Sequence, residues 1–338
     1  MQRIPCTRAR LAALLLAVTT ITTACSGGEE APAGKAPSPE GQGRPAAHVT
    51  SKWPFTGETF HGKLPKHRAV MVKIENTSSS KPQRGLGSAD LVVEELVEGG
   101  LTRLAAFYYS SQPSEVGPVR SLRGTDIGVV KPSKGVAVAS GGAPVTMRRV
   151  RQAHVVTATE GTKGYYRVSD RPSPYNLFMN LKQLPADKLK GPRPQPYLPF
   201  GSATDLGKGQ PAEKVTAKFS AGTSTEWTWT RKGWKQSGGY AAKGDEFKPD
   251  NVLALRVRQV DAGYTDPAGN PVPESVFSGK GAATLLTDGK AYEGTWMKKG
   301  MGGSLKLVTA KGERLPVPPG NTWIELIPAS GGGLSISK

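Results

Sequence analysis

Both cysteines of this 338-residue chain, Cys6 and Cys25, lie within its first 25 residues, so the rest must fold without disulfides or thiolate metal ligands. The same stretch explains their placement. Arg3, Arg8 and Arg10 precede an apolar run from Leu11 to Val18, and a small-residue tail, Thr22-Thr23-Ala24, ends at Cys25. That is the pattern of a secretory signal with a lipobox-like cleavage site. The run is about half of the ~20 apolar residues that a spanning helix needs. Residues 1–24 are expected to leave as a lipoprotein signal peptide and Cys25 to carry lipid. The expected location is the extracytoplasmic face of the membrane, with the chain held there by that lipid. Packing alone must stabilise the body, and a thiol nucleophile is excluded.

Residues 25–50 are Gly, Pro, Ala, Ser and Glu with almost nothing apolar, the composition of a disordered tether. About 25 such residues hold a body roughly 25–30 Å from its anchor. Apolar residues make up 37% of the whole chain, enough for a real core beyond the tether. Lys and Arg number 45 against 27 Asp and Glu. In a cytosolic protein that excess would suggest nucleic acid. Outside the membrane no nucleic acid is expected, and the abundant polyanions are lipid head groups, phosphate-bearing wall polymers and wall-peptide carboxylates.

From Arg68 onward the pattern becomes that of a folded domain. Ala69 to Ile74, Leu101 to Tyr109, Lys134 to Ala139 and Val155 to Ala158 read as strands. Ser88 and Asp90 read as the N-cap and first-turn acid of a short helix through Leu91 and Val92. Pro144 opens a second helix reaching about Ala153. Residues 51–195 are therefore expected to form a β-rich α/β domain. Pro and Gly crowd residues 196–212, the expected linker. Residues 213–330 carry mainly antiparallel β signals, the clearest being Asp288-Gly289 between two alternating runs, a type I′ hairpin. Trp227 and Trp229 share one strand face and read as core, as do Trp296 and Trp323. Residues 331–338 read as a flexible tail. The expected class is α+β.

Several chemistries lack their residues. The four histidines, His48, His61, His67 and His154, have no zinc-binding spacing, and no Gly-x-Ser-x-Gly elbow occurs. Gly201 to Gly209 has one residue too many for a phosphate loop, and Gly209 stands where Ser or Thr must bind magnesium. No metal or cofactor is expected. What remains is a polar constellation in the first half. Glu94, Glu95 and Glu98 run into Gly99-Gly100, Thr102 and Arg103. Gly117-Pro118-Val119-Arg120-Ser121-Leu122-Arg123-Gly124 follows, then Asp170-Arg171-Pro172-Ser173-Pro174-Tyr175-Asn176. Arg120 and Arg123, bracketed by glycines, read as two forked donors aimed at a carboxylate or phosphate. Arg103, Arg171 and Asn176 could complete that site. Glu94 and Glu98 would lie on one face of a helix, close enough for acid/base work, but roughly 13 Å apart on a strand. The other reading of these glutamates is ion pairing with Arg103, Arg120 or Arg123.

Lys81-Pro82-Gln83, Gly85-Leu86, Ala89-Asp90, Glu98 to Arg103 and Gly117 to Ser121 together resemble the YerB-like lipoprotein family. Asp250-Asn251-Val252, Gly279 to Gly281, Asp288-Gly289-Lys290 and Gly320 to Trp323 resemble its C-terminal half. The resemblance spans roughly residues 53 to 330. It implies a lipid-anchored envelope protein with a two-part, β-rich fold, and it brings no established reaction. Two positions depart from the family pattern: Lys81 stands where Arg is expected, and Tyr175 where His is expected. Tyrosine is a poor base at neutral pH.

The expected function is a membrane-tethered binding or accessory module for an anionic envelope polymer or wall fragment, using Arg103, Arg120, Arg123, Arg171 and Asn176. One alternative is an envelope-polymer hydrolase with Glu94 and Glu98 as acid and base. Another is a scaffold for other envelope proteins.

Overall fold

Runs of Val, Ile, Leu and Ala with no polar alternation are the mark of strands buried on both faces, and they build the centre of this molecule. The computed structural model describes residues 50–338; the signal, Cys25, His48 and the tether lie outside them. The chain starts with a small hairpin, β1 (Thr50–Lys52) and β2 (Thr59–His61), followed by β3 (Val70–Asn76), β4 (Leu91–Leu96) and β5 (Thr102–Tyr108). Helix α1 (Thr125–Val130), β6 (Val136–Ala139), helix α2 (Pro144–Gln152) and β7 (Val156–Thr159) come next. A short hairpin, β8 (Tyr165–Arg167) and β9 (Leu177–Met179), and helix α3 (Ala186–Leu189) complete the first half.

The second half runs β10 (Gln210–Pro211), β11 (Lys214–Lys218), β12 (Ser224–Thr230), β13 (Gly233–Ser237) and β14 (Asn251–Val257). It continues with the hairpin of β15 (Gln259–Thr265) and β16 (Pro271–Ser275), then β17 (Gly279–Thr287), β18 (Lys290–Lys298) and β19 (Lys306–Val308). β20 (Thr322–Pro328) and β21 (Gly333–Ser337) end it.

Eleven strands form one mixed sheet in the order β10-β18-β17-β14-β20-β4-β5-β3-β6-β7, with β19 beside β18. Strands of both halves interleave. β20 lies parallel between β14 and β4, pairing Glu325 with Glu94 on one side and with Ala254 on the other. The stretch expected as a linker, residues 196–212, thus joins two halves that share a sheet. One face of that sheet packs on α1, α2 and the Phe55 and Tyr197 segments. The opposite face is covered by a four-stranded antiparallel sheet, β13-β12-β11-β21, whose Val215, Trp227 and Trp234 enter the second core. The class is α+β.

Two local expectations change. The helix expected after Ser88 is instead strand β4, because Val92 and Val93 pair with Ala106 and Ala105 of β5 and with Trp323 and Ile324 of β20. Asp90 does not cap a helix; its carboxylate accepts the amides of Tyr109 and Ser110 at 2.6 and 3.0 Å. The expected tail, residues 331–338, contains β21, whose Leu334 and Ile336 sit opposite Ala217 and Val215 of β11. The hairpin at Asp288-Gly289 forms as expected, with φ of 49° and 65° at the two turn residues.

Candidate functional site

Alternation along β4 sends Glu94 and Glu95 to opposite faces of the main sheet, and this divides the polar constellation in two. On the α1 side, Glu75, Arg103 and Glu95 stand in one row across β3, β5 and β4. Lys73, fully buried, bridges Glu95 and Asp126 of α1, the latter at 3.0 Å. Glu98, just after β4, takes Arg123 Nε on one oxygen at 2.7 Å and Arg103 Nη2 on the other at 3.0 Å. Glu75 takes Arg120 Nε at 2.8 Å. The loop is fixed by its backbone: Arg120 N–H donates to Lys73 O at 2.9 Å, and Arg123 N–H donates to Asp126 Oδ2 at 2.7 Å. Four cations thus face four carboxylates in a space that is largely closed to solvent.

The two loop glycines serve close packing. A Cβ at Gly117 would lie 2.7 Å from the Phe178 ring, and one at Gly124 would collide with the Glu274 carboxylate. That carboxylate is held bidentately by Arg149 at 2.5 and 2.6 Å.

The open pair of guanidinium groups expected at residues 120 and 123 is therefore absent. Arg103 and Arg123 are 5% and 6% exposed and share Glu98, with Glu75 also 3.6 Å from Arg103. Arg120 is less buried, with its guanidinium 5.3 Å from the centre of the Tyr175 ring. Tyr175 thus acts as a stacking surface for Arg120. Arg171 donates to the carbonyls of Ser80 and Pro82 at 3.1 and 3.2 Å and lies over Phe178. Asn176 accepts from Arg167 at 2.6 Å. The 170–178 segment brings Arg171 and Asn176 near the loop of Arg120, where the Arg171 Nη atoms and Asn176 Oδ1 are taken by protein partners.

Glu94 lies on the other face. It accepts from Asn76 and from the Thr225 hydroxyl, both at about 3.0 Å. Its register partner Glu325 accepts from the indole N–H of Trp227 at 2.7 Å. Burial pushes both carboxyl groups above their usual range, Glu325 well above it, with the charge of Glu94 adding to the effect. Glu94 and Glu98 belong to different clusters on opposite faces, so the acid/base pair expected of a hydrolase does not assemble.

These shifts fix a sign for the dependence of stability on pH. Glu95 is pushed up to about 7 by burial and by Asp126, against the pull of Lys73. For Glu94, Glu95 and Glu325 the folded chain holds its protons more tightly than the unfolded one, whose carboxyl groups titrate near ~4.3. Their contribution is fully present below that value and is lost as pH rises through the folded values. Glu98 is shifted the opposite way by Arg123 and Arg103, against its burial, so its contribution is lost only as pH falls below the ordinary carboxylate range. The thermal midpoint should fall between pH 5 and pH 8. Glu325→Gln, which keeps an acceptor for Trp227 without a titrating proton, should make that fall shallower. Calorimetric scans of both proteins across this range test it; identical slopes would show that folding does not raise the Glu325 carboxyl.

The surface around Arg68 was not singled out by sequence reasoning. Arg68 donates its side chain to the carbonyls of Lys190 and Lys134 and its backbone N–H to Leu189 O at 2.9 Å. This joins the segments that carry the exposed Lys63, Lys66, Lys134, Lys190 and Arg193, one of which also carries the exposed Asp187. Tyr109 lies at the centre: its hydroxyl donates to Pro65 O at 2.6 Å, and His67 and Trp53 pack on its ring at 5.0 and 5.9 Å. Trp53 follows β1, so the described chain begins beside this face. The signal in the sequence was two short runs, Lys63 to Arg68 and Lys188 to Arg193, each with few acids.

A mixed sheet shared by two chain halves, with four cations and four carboxylates paired on its α1 side, defines a two-part α+β module. Residues 55–191 match the family described as "Protein of unknown function (DUF3048) N-terminal domain" and residues 215–324 match its C-terminal domain; the chain belongs to this family. It is 27% identical over 297 residues to "Putative lipoprotein YerB" of Bacillus subtilis strain 168, covering 82% of this chain and 86% of that protein. The crystal structure of the YerB protein from Bacillus subtilis has the same fold, with a TM-score of 0.69 and 21% identity over 84% of this chain and 99% of that one.

Proposed function

We propose that this protein is a lipid-anchored extracytoplasmic module that binds the anionic surface of the membrane carrying its anchor through the basic face around Arg68. The observation that supports this most is the balance of the buried charges. Residues 50–338 hold 40 Lys and Arg against 24 Asp and Glu. The interior cluster takes equal numbers of each sign, so the whole excess belongs to residues outside it. Part of that excess lies near the first described strand, and residues 25–50 have the composition of a tether. The lipobox-like Cys25 and the name of the Bacillus relative support the anchor.

Each basic residue near an anionic surface contributes about 1 kcal/mol. Reversing four of them (Lys63→Glu, Lys66→Glu, Lys134→Glu and Lys190→Glu) should therefore weaken binding about a hundredfold or more. The test is co-sedimentation of the full chain carrying Cys25→Ser with phosphatidylglycerol vesicles at low and high salt. Arg120→Ala should bind like the parent. Retention of the four-site variant on vesicles, or binding to phosphate-bearing wall polymer without binding to vesicles, would overturn the membrane reading.

A further inference from the structure

We propose that a second site, independent of the basic face, lies between edge strand β13 and the segment that follows it, and that it takes a single-chain anionic amphiphile. A cavity of about 510 Å³ opens there, within the ~300–1,000 Å³ span of small-molecule sites. Its inner wall is apolar, built from Leu86, Trp234, Ala241 and Phe247. Its rim carries Lys232, Lys235 and Lys248, all exposed, against the single acid Glu246. An apolar wall beneath three ammonium groups matches an aliphatic chain with a negative head group. It matches a neutral sugar or a cation poorly.

The walls are fixed before any ligand arrives. Trp234 N–H donates to Pro249 O at 2.9 Å, closing one end of the segment onto β13. At the other end, Gln83 N–H donates to Tyr240 O at 2.7 Å and Ala242 N–H to Gln83 O at 2.8 Å. Asp245 accepts the amides of Gly85 and Gly87, the latter at 3.0 Å. The rings are locked to the core as well, with Trp234 5.4 Å from Trp229 and Phe247 5.9 Å from Trp323. A preformed cavity avoids the ordering cost of binding.

Two buried indole N–H groups are left over, those of Trp234 and Trp323, and of the two only Trp234 lines the cavity. Trp234 is 2% exposed, yet its indole N–H has no acceptor among the described residues. Buried indole N–H groups normally find one. An oxygen at the neck of the ligand's head group would supply it. No such role is needed for Trp227, whose N–H already donates to Glu325.

The test uses the full chain carrying Cys25→Ser and follows tryptophan fluorescence during titration with dodecanoate, dodecyl phosphate and, below its micellar concentration, uncharged dodecyl maltoside. Both anions should give a saturable change, and the maltoside should bind at least tenfold more weakly. A preference between the two anions would assign the head group as carboxylate or phosphate within the same proposal. Lys232→Glu with Lys235→Glu and Lys248→Glu, all at exposed positions, should weaken the anions at least tenfold without moving the thermal midpoint. Ala241→Phe, which fills the cavity, should abolish the change. No saturable response to either anion, equal binding of the maltoside, or undiminished binding by the lysine variant would overturn the proposal.

Discussion

Glu98→Ala should lower the stability of the folded body by about 3–5 kcal/mol, the usual loss when one member of a buried ion pair is removed. Glu98 is the shared acceptor of Arg103 and Arg123, and both guanidinium groups are nearly closed to water. Without it the cluster keeps four cations and only three carboxylates, and the unmatched charge cannot reach solvent without moving the 117–124 loop. At a few degrees per kcal/mol for a body of this size, the midpoint should drop by about 10 °C. Urea unfolding of the single variants and of Glu98→Ala with Arg123→Ala would close a double-mutant cycle. The double variant should lose clearly less than the sum of the singles. A loss below about 1 kcal/mol would place the cluster with exposed pairs and contradict the buried arrangement.

Lys73→Met should cost a similar amount at pH 8, but its cost should shrink on acidification. The methionine fills the space of the lysine stem and leaves Glu95 and Asp126 facing each other without their cation. Burial already raises the Glu95 carboxyl to about 7, and Lys73 opposes that rise. Removing the lysine widens the pH interval in which the folded chain binds more protons than the unfolded one. The variant must therefore regain stability as pH falls towards 5, more steeply than the parent. Denaturant titrations at pH 5.5 and pH 8 decide this. A loss of equal size at both values would mean that the carboxylates are hydrated rather than sealed.

The strands were legible wherever the local pattern was unambiguous: the Ala69 to Ile74 run, the Leu101 to Tyr109 run, and the two arms around Asp288-Gly289. β4 was harder to read. Ser88 and Asp90 carry a helix-start signal, and only the distant partners Tyr109 and Ser110 turn that carboxylate to another use. The period-two pattern of Leu334 and Ile336 was present, but it is short and three glycines, Gly331 to Gly333, precede it and hid a strand. For the site, the sequence displayed the charges without their partners. Arg123 lies 25 residues from the glutamate that neutralises it, and Thr225 lies 131 residues from the Glu94 it binds. Whether an arginine faces a guest or a neighbour depends on such long-range pairings, which a local motif cannot encode. Runs of lysine divided between distant segments stay unrecognised for the same reason.

The position of β20 has a consequence for timing. Strand β4 has β5 on one flank and β20 on the other, so its second row of backbone partners comes from residues 322–328. A polypeptide delivered from its N-terminus cannot finish the middle of this sheet until residues 322–328 are in place. Until then Glu94 and its neighbours present an open edge. Such a chain closes its sheet from both flanks only when residues 322–328 join it, so the two halves complete each other rather than folding in turn.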